Sequence, residues 1–204
     1  MLFAVICLMA FADNALACAC CAEPGTYMIW AGKPGEVELR ILDSMKFDKK
    51  TTLYMTEAGF DSIKGLSEVE KEDSDVGGMW DGTFDLVNEF TKSGWKFTIK
   101  TPRGKTGTLV LPVPTQMVQY KVDIHDTEDA GLGVHLYKEF RFKGTVRSGT
   151  GFFGSSIVKP TTYFLVFQGR GNGCDDISDF THWHLEINGK KADYEFNGKL
   201  TAAQ

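Results

Sequence analysis

The stretch HWHLE, residues 182–186, carries the most chemistry per residue in this chain. On an extended strand successive side chains point to opposite faces, so His182, His184 and Glu186 share one side. Two imidazoles and a carboxylate in that arrangement could ligate Zn²⁺ or another divalent transition ion. A further ligand would have to come from His125, His135 or the cysteines. The plainer reading makes His182, His184, Glu186 and Asn188 the solvent face of a strand whose other face, Trp183, Leu185 and Ile187, is core. The pattern is that of any half-buried strand, so the plainer reading takes precedence.

Cysteines form the second group. Three of the five, Cys18, Cys20 and Cys21, fall within four residues, and Cys174 stands far away. As thiolates the clustered three could hold Cu(I) or Zn²⁺. What precedes them points elsewhere. Residues 2–12, LFAVICLMAFA, carry no charge. The run is too short to span a bilayer, which takes about 20 apolar residues, and matches the apolar core of a signal peptide. Ala15-Leu16-Ala17 then supplies a small-residue cleavage site. No Lys or Arg precedes the run, the one departure from the usual pattern. Cleavage after Ala17 makes Cys18 the first mature residue. A lipid anchor there would call for a large aliphatic residue three positions earlier, where Ala15 stands, so the sequence argues against one.

Exported thiols oxidise, and four remain after cleavage. A vicinal Cys20–Cys21 bond would be strained, so the expectation is Cys174 joined to Cys20 or Cys21, with the fate of Cys18 open. Such a bridge closes a loop of about 150 residues, for which chain entropy gives about 5 kcal/mol as an upper figure.

Two further features could serve binding. The loop GRGNGCDDISDF, residues 169–180, has three glycines for tight turning and is made polar by Arg170, Asp175, Asp176 and Asp179. Tied down by Cys174, it could act as a lid or a rim over a cavity. Its acids do not follow the fixed spacing of an EF-hand. Lys138 is the other. In VHLYKEFRF, residues 134–142, it falls on the same side as Val134, Leu136, Phe140 and Phe142. An inward ammonium must find a carboxylate, reach solvent or change its protonation; in a barrel it could meet an anionic ligand.

The elements that would position these groups read as antiparallel β. Trp95, Phe97 and Ile99 alternate with Lys96, Thr98 and Lys100; Val118, Tyr120, Val122 and Ile124 alternate with Gln119, Lys121 and Asp123. Period-two alternation marks strands with one buried and one solvated face. Val37, Leu39 and Ile41 alternate with Glu36, Glu38 and Arg40 in the same way, which predicts a strand over 35–42. Asn-Gly at 188–189 and 197–198 and Lys-Ser-Gly at 92–94 supply turns. Leu109 to Val113 and Tyr163 to Phe167 are apolar on both faces, which calls for curling or a second layer. About ten strands follow, arranged as an antiparallel β-barrel, lipocalin-like or similar, or as a two-sheet β-sandwich. A single short helix is predicted near 58–70, on the spacing of Phe60, Ile63, Leu66 and Val69. Beyond the signal peptide, 1–17, residues 18–204 form one domain of ordinary size.

The net charge is −5, and −4 once the segment holding Asp13 is removed. Without a basic stripe, nucleic-acid binding lacks its main attraction. There is no Gly-x-Ser-x-Gly elbow, no His-Glu-x-x-His, no phosphate loop and no dinucleotide fingerprint. The expectation is an exported, secreted or periplasmic, barrel or sandwich with a non-catalytic binding or structural role, its partner a small apolar ligand or another protein. The alternatives are a metal-binding protein using His182, His184 and Glu186 or the cysteine cluster, and a hydrolase or isomerase with an unfamiliar site.

Overall fold

The computed structural model describes residues 27–56, 79–123, 136–171 and 176–201. They contain eleven strands in one antiparallel sheet and a single α-helix. The strands are β1 (Tyr27–Gly32), β2 (Lys46–Thr56), β3 (Met79–Thr91), β4 (Gly94–Lys100), β5 (Thr106–Leu111) and β6 (Met117–Asp123). They continue with β7 (Leu136–Thr145), β8 (Ser148–Gly151), β9 (Thr161–Arg170), β10 (Phe180–Gly189) and β11 (Ala192–Thr201). The helix is α1 (Glu36–Ser44). The all-β expectation holds. The helix expected at 58–70, the cysteines, the segment 1–17, His125, His135 and Asp175 lie outside the described residues.

Pairing follows the order β1-β6-β7-β9-β10-β11-β2-β3-β4-β5-β8. As a hydrogen-bonded ladder the sheet is open, with β1 and β8 at its two ends. The chain nevertheless ties those regions together. Thr145 ends β7 and Ser148 begins β8, so the third and the last strand of the order are covalently continuous. The register shows how. Val110 faces Ser148 on β5 and β8, and Val118 faces Arg141 on β6 and β7. Between these pairs one side of the hairpin has one residue more than the other. β5 with β6, and β7 with β8, therefore form one long hairpin that parts over residues 112–116 and comes together again. Eight strands of a meander curl round, β11 pairs back to β2, and the parted hairpin is where the wall gapes.

Inward positions fill the curl. Phe97, Leu109, Phe142, Leu165, Phe167, Trp183, Leu185, Ile187 and Phe196 are fully buried, as the alternation of their strands requires. Phe47, Phe90, Phe97, Phe167 and Trp183 meet edge-on or tilted at 5.2–6.4 Å between centroids. Each fully buried ring, Phe97, Phe167 and Trp183, contributes about 1.5–3 kcal/mol, the partly buried Phe47 and Phe90 less, and each pair up to about 1.5 kcal/mol more through ring geometry. The interior is a packed aromatic core. Gly198 lies directly across from Trp183, and a Cβ there would run into the indole. Of the two stretches apolar on both faces, only the outward Val166 is fully covered, between the larger Arg141 and His184 of the neighbouring strands.

The strand expected at 35–42 is a helix, and the burial pattern gives the reason. A strand would put Val37, Leu39 and Ile41 together. In α1, Ile41 and Leu42 are buried with Val37 packed beside them, whereas Leu39 is 42 % exposed. That is helical spacing, since residues two apart fall on opposite faces. Glu36 and Glu38 occupy the first turn, where the partial positive charge of the helix N-terminus favours carboxylates. Glu38 Oε2 accepts from the Gly35 N–H at 2.9 Å. Its other oxygen accepts from Gln119 Nε2 of β6 at 2.7 Å, which ties the helix to the wall.

Candidate functional site

A concavity among the described residues arises where the hairpin parts. β4 reaches β5 only as far as Leu111, opposite Trp95, and β1 takes the corresponding place along β6. Between them the wall has no strand, and α1, connecting β1 to β2, lies across the gap. The result is a half-open cleft of about 720 Å³. Leu39, Leu42 and Met45 line it from the helix side, Phe90 and Trp95 from the β3–β4 hairpin, and Val113, Pro114 and Phe142 from the parted hairpin. Phe90 stacks on Trp95 at 4.4 Å, and Trp95 meets Phe142 edge-on at 5.4 Å. The same rings therefore form both the cleft wall and the margin of the core. Asp43, Asn88, Thr91 and Lys92 bring polar groups to the cleft. Arg147 Nη1 donates to the Ser93 carbonyl at 2.8 Å and pins the β3–β4 turn against the chain leaving β7.

The residues singled out from the sequence lie elsewhere. His182, His184 and Glu186 do share the outer face of β10, opposite the buried Trp183, Leu185 and Ile187. His184 Nε2 is 3.3 Å from Glu186 Oε1, and the His184 ring meets Phe164 edge-on. His182 Nδ1 is instead 2.9 Å from the Thr181 hydroxyl. Among the described residues no three His, Cys, Asp or Glu side chains gather to hold a metal. Glu186 also borders a shallow depression of about 530 Å³ shared with Lys143, Thr162 and Phe164.

Lys138 is buried inside the wall at 2 % exposure and forms an ion pair with Asp179. The carboxylate thus comes from the very loop that the sequence marks as polar. Gly171 makes room for it: a Cβ there would overlap the Asp179 carboxylate. Asp176 is exposed and caps the 3-10 turn Ile177–Asp179, accepting from the backbone N–H and hydroxyl of Ser178 at 2.9 and 2.7 Å. Those bonds hold its carboxyl below the usual carboxylate range. Arg170 is exposed at the end of β9. Lys138 therefore stays inside, where its charge also helps to lower the Asp176 carboxyl, while Arg170 and Asp176 face solvent.

The outer face of β6 and β7 carries a network that the sequence did not bring out. Glu139 takes hydrogen bonds from the Tyr137 hydroxyl and from Arg141 Nε, and the Gln168 side chain lies 3.2 Å from that hydroxyl. The Arg141 guanidinium sits 4.5 Å over the Tyr120 ring. Burial, and then the bond to Glu139, pushes the Tyr137 hydroxyl well above its ordinary value. These contacts fasten Tyr137, Glu139, Arg141 and Tyr120 to one another across the outer face of the wall.

No family model matches the chain, and no curated protein or solved structure is significantly similar to it. No helix among the described residues is long and apolar enough to cross a membrane.

Proposed function

We propose that the chain is an exported binding protein that takes a small, largely apolar ligand in the cleft between α1 and the parted hairpin. The observation that carries this reading is the cleft itself. Its volume of about 720 Å³ falls within the range that holds small molecules, and its wall of Leu, Met, Phe, Trp and Pro side chains with a few polar groups has the usual make-up of such sites. The interior of the curled sheet is filled with rings, so the ligand sits in the gap in the wall and not in the centre. The supporting argument for export is the sequence of residues 1–21, an apolar run followed by a small-residue cleavage site and clustered cysteines.

Titration with a neutral apolar fluorophore such as N-phenyl-1-naphthylamine tests binding. Its emission rises when it enters the cleft and quenches Trp95. Leu39→Trp fills the cleft from the exposed side of the helix without touching the core, and weakens binding at least tenfold. A probe that gives no enhancement, or one that binds Leu39→Trp equally well, refutes the cleft as the site. Intact mass of the exported protein, with and without thiol alkylation, tests the rest. Loss of residues 1–17 and protection of Cys174 from alkylation support the reading; an uncleaved chain with every thiol reactive overturns it.

A further inference from the structure

β1 stands outside the eight-strand meander. One edge pairs with β6, and among the described residues no strand pairs with the other. Its sequence, YMIWAG, contains no charge and no proline, the devices by which free edges are usually protected. Tyr27, Met28, Ile29 and Trp30 are 42–67 % exposed. Because neighbours alternate, Tyr27 and Ile29 face one side of the sheet and Met28 and Trp30 the other. Tyr27 stacks near Tyr120 of β6 at 6.5 Å, so the outer apolar strip continues onto the next strand. Four consecutive large apolar side chains open on both faces of a free edge call for a particular kind of cover. A helix or loop docked on one face leaves the other wet. A further strand extends the sheet, satisfies the edge backbone and sets its own side chains beside the apolar ones on both faces at once.

We infer that the free edge of β1 is a self-association surface, and that two copies of the chain pair antiparallel through it about a twofold axis at Ile29. The sequence of the strand fits its own reverse. With Ile29 opposite Ile29, Met28 falls opposite Trp30, and the large Tyr27 falls opposite the small Ala31. Each pair lies on a common face, as cross-strand packing requires. No charge meets a like charge, and a twofold contact closes on itself without growing into fibres. From these exposures, taking roughly 200 Å² for a large side chain, the four residues expose roughly 420 Å² per copy, so the pair buries at most roughly 840 Å² of apolar surface in total. That is below the size of a stable interface and within the range of weak, transient ones. The expected dimer is reversible, with a dissociation constant on the order of 10 μM.

Sedimentation equilibrium on the purified protein, with free thiols blocked so that the cysteines cannot cross-link, tests this. The wild-type chain shows a monomer–dimer equilibrium. Ile29→Lys and Ile29→Glu, each on an exposed edge and each keeping the near-UV circular dichroism of the fold, weaken it at least thirtyfold. Mixing the two variants restores dimerisation, because residue 29 of one copy meets residue 29 of the other. Val87→Lys, at an exposed apolar position on β3, leaves the equilibrium unchanged. A wild-type chain that stays monomeric at 100 μM overturns the inference. So does an Ile29→Lys variant that still dimerises, a mixture that stays monomeric, or an equal loss from Val87→Lys.

Discussion

Replacing Lys138 by Met probes the most deeply buried ion pair among the described residues. The ammonium is buried at 2 % exposure, and the side chain of its partner Asp179 at 11 %. Met keeps the aliphatic volume and removes the charge, so the cost is that of leaving a carboxylate in the wall without its cation. Breaking a buried pair in this way costs about 3–5 kcal/mol. The residual exposure of Asp179 lets some water reach it, so the lower end, about 3 kcal/mol, applies. For a domain of this size that lowers the melting temperature by roughly 6–12 °C. Thermal and urea unfolding followed by circular dichroism measure the loss. The double variant Lys138→Met with Asp179→Asn is the decisive arm. Asn fits the space beside Gly171 and carries no charge, so the double variant recovers at least about 1 kcal/mol of the single variant's loss. A single-variant loss under about 1 kcal/mol, or a double variant no more stable than the single, refutes the argument that an isolated buried charge is what the pair prevents.

Other consequences follow from the same geometry. In α1, Leu42→Ala costs about 2–5 kcal/mol in urea unfolding and Leu39→Ala less than about 0.5 kcal/mol; similar losses at both positions would refute the helical register. Gly198→Ala drives a methyl into the Trp183 ring, so it costs about 1–3 kcal/mol and alters the near-UV spectrum of that indole, and an unchanged spectrum would refute the contact. Burial pushes the Tyr163 hydroxyl up to about 12 from its ordinary 10. The unfolded chain therefore ionises first as the pH rises, so stability from this group is complete below pH 10 and lost between pH 10 and about 12. Tyr163→Phe flattens the stability–pH curve across that window, and a curve that keeps its full slope in the variant would rule this cause out.

How much of this was legible depends on how local each signal is. Strands β4, β10 and β11 follow from alternation because the side-chain period of a strand is fixed by its own backbone, and their inward residues are the observed core. Residues 36–44 misled because EVELRIL fits both periods: the alternation of Val37, Leu39 and Ile41 is genuine, yet Leu42 is the residue that decides, and its partners lie far away in the chain. Pro34-Gly35 followed by two acids in the next three residues was the available helix-start signal. The inward Lys138 announced its need for a carboxylate, and Asp179, 41 residues on, could be matched to it only once β7 and β9 were known to be neighbours. The cleft was illegible, because its lining is ordinary apolar residues spread from Pro34 to Phe142.

Asn197-Gly198, read as a turn, lies within β11, and Val118 and Tyr120, read as inward, share the outer face with Arg141 and Glu139. The sequence by itself determined most of the strands, the inward faces of β4, β10 and β11, the turn before β4, and the demand that a buried lysine be neutralised. These are set by a few adjacent residues through backbone geometry and the cost of burying a polar group. Tertiary structure alone decided that EVELRILDS coils, which carboxylate answers Lys138, where the long hairpin parts, and that β1 pairs along only one edge among the described residues. Each of these depends on which distant segments come to lie side by side, and a one-residue mismatch across a hairpin, invisible in either strand alone, is enough to open the wall.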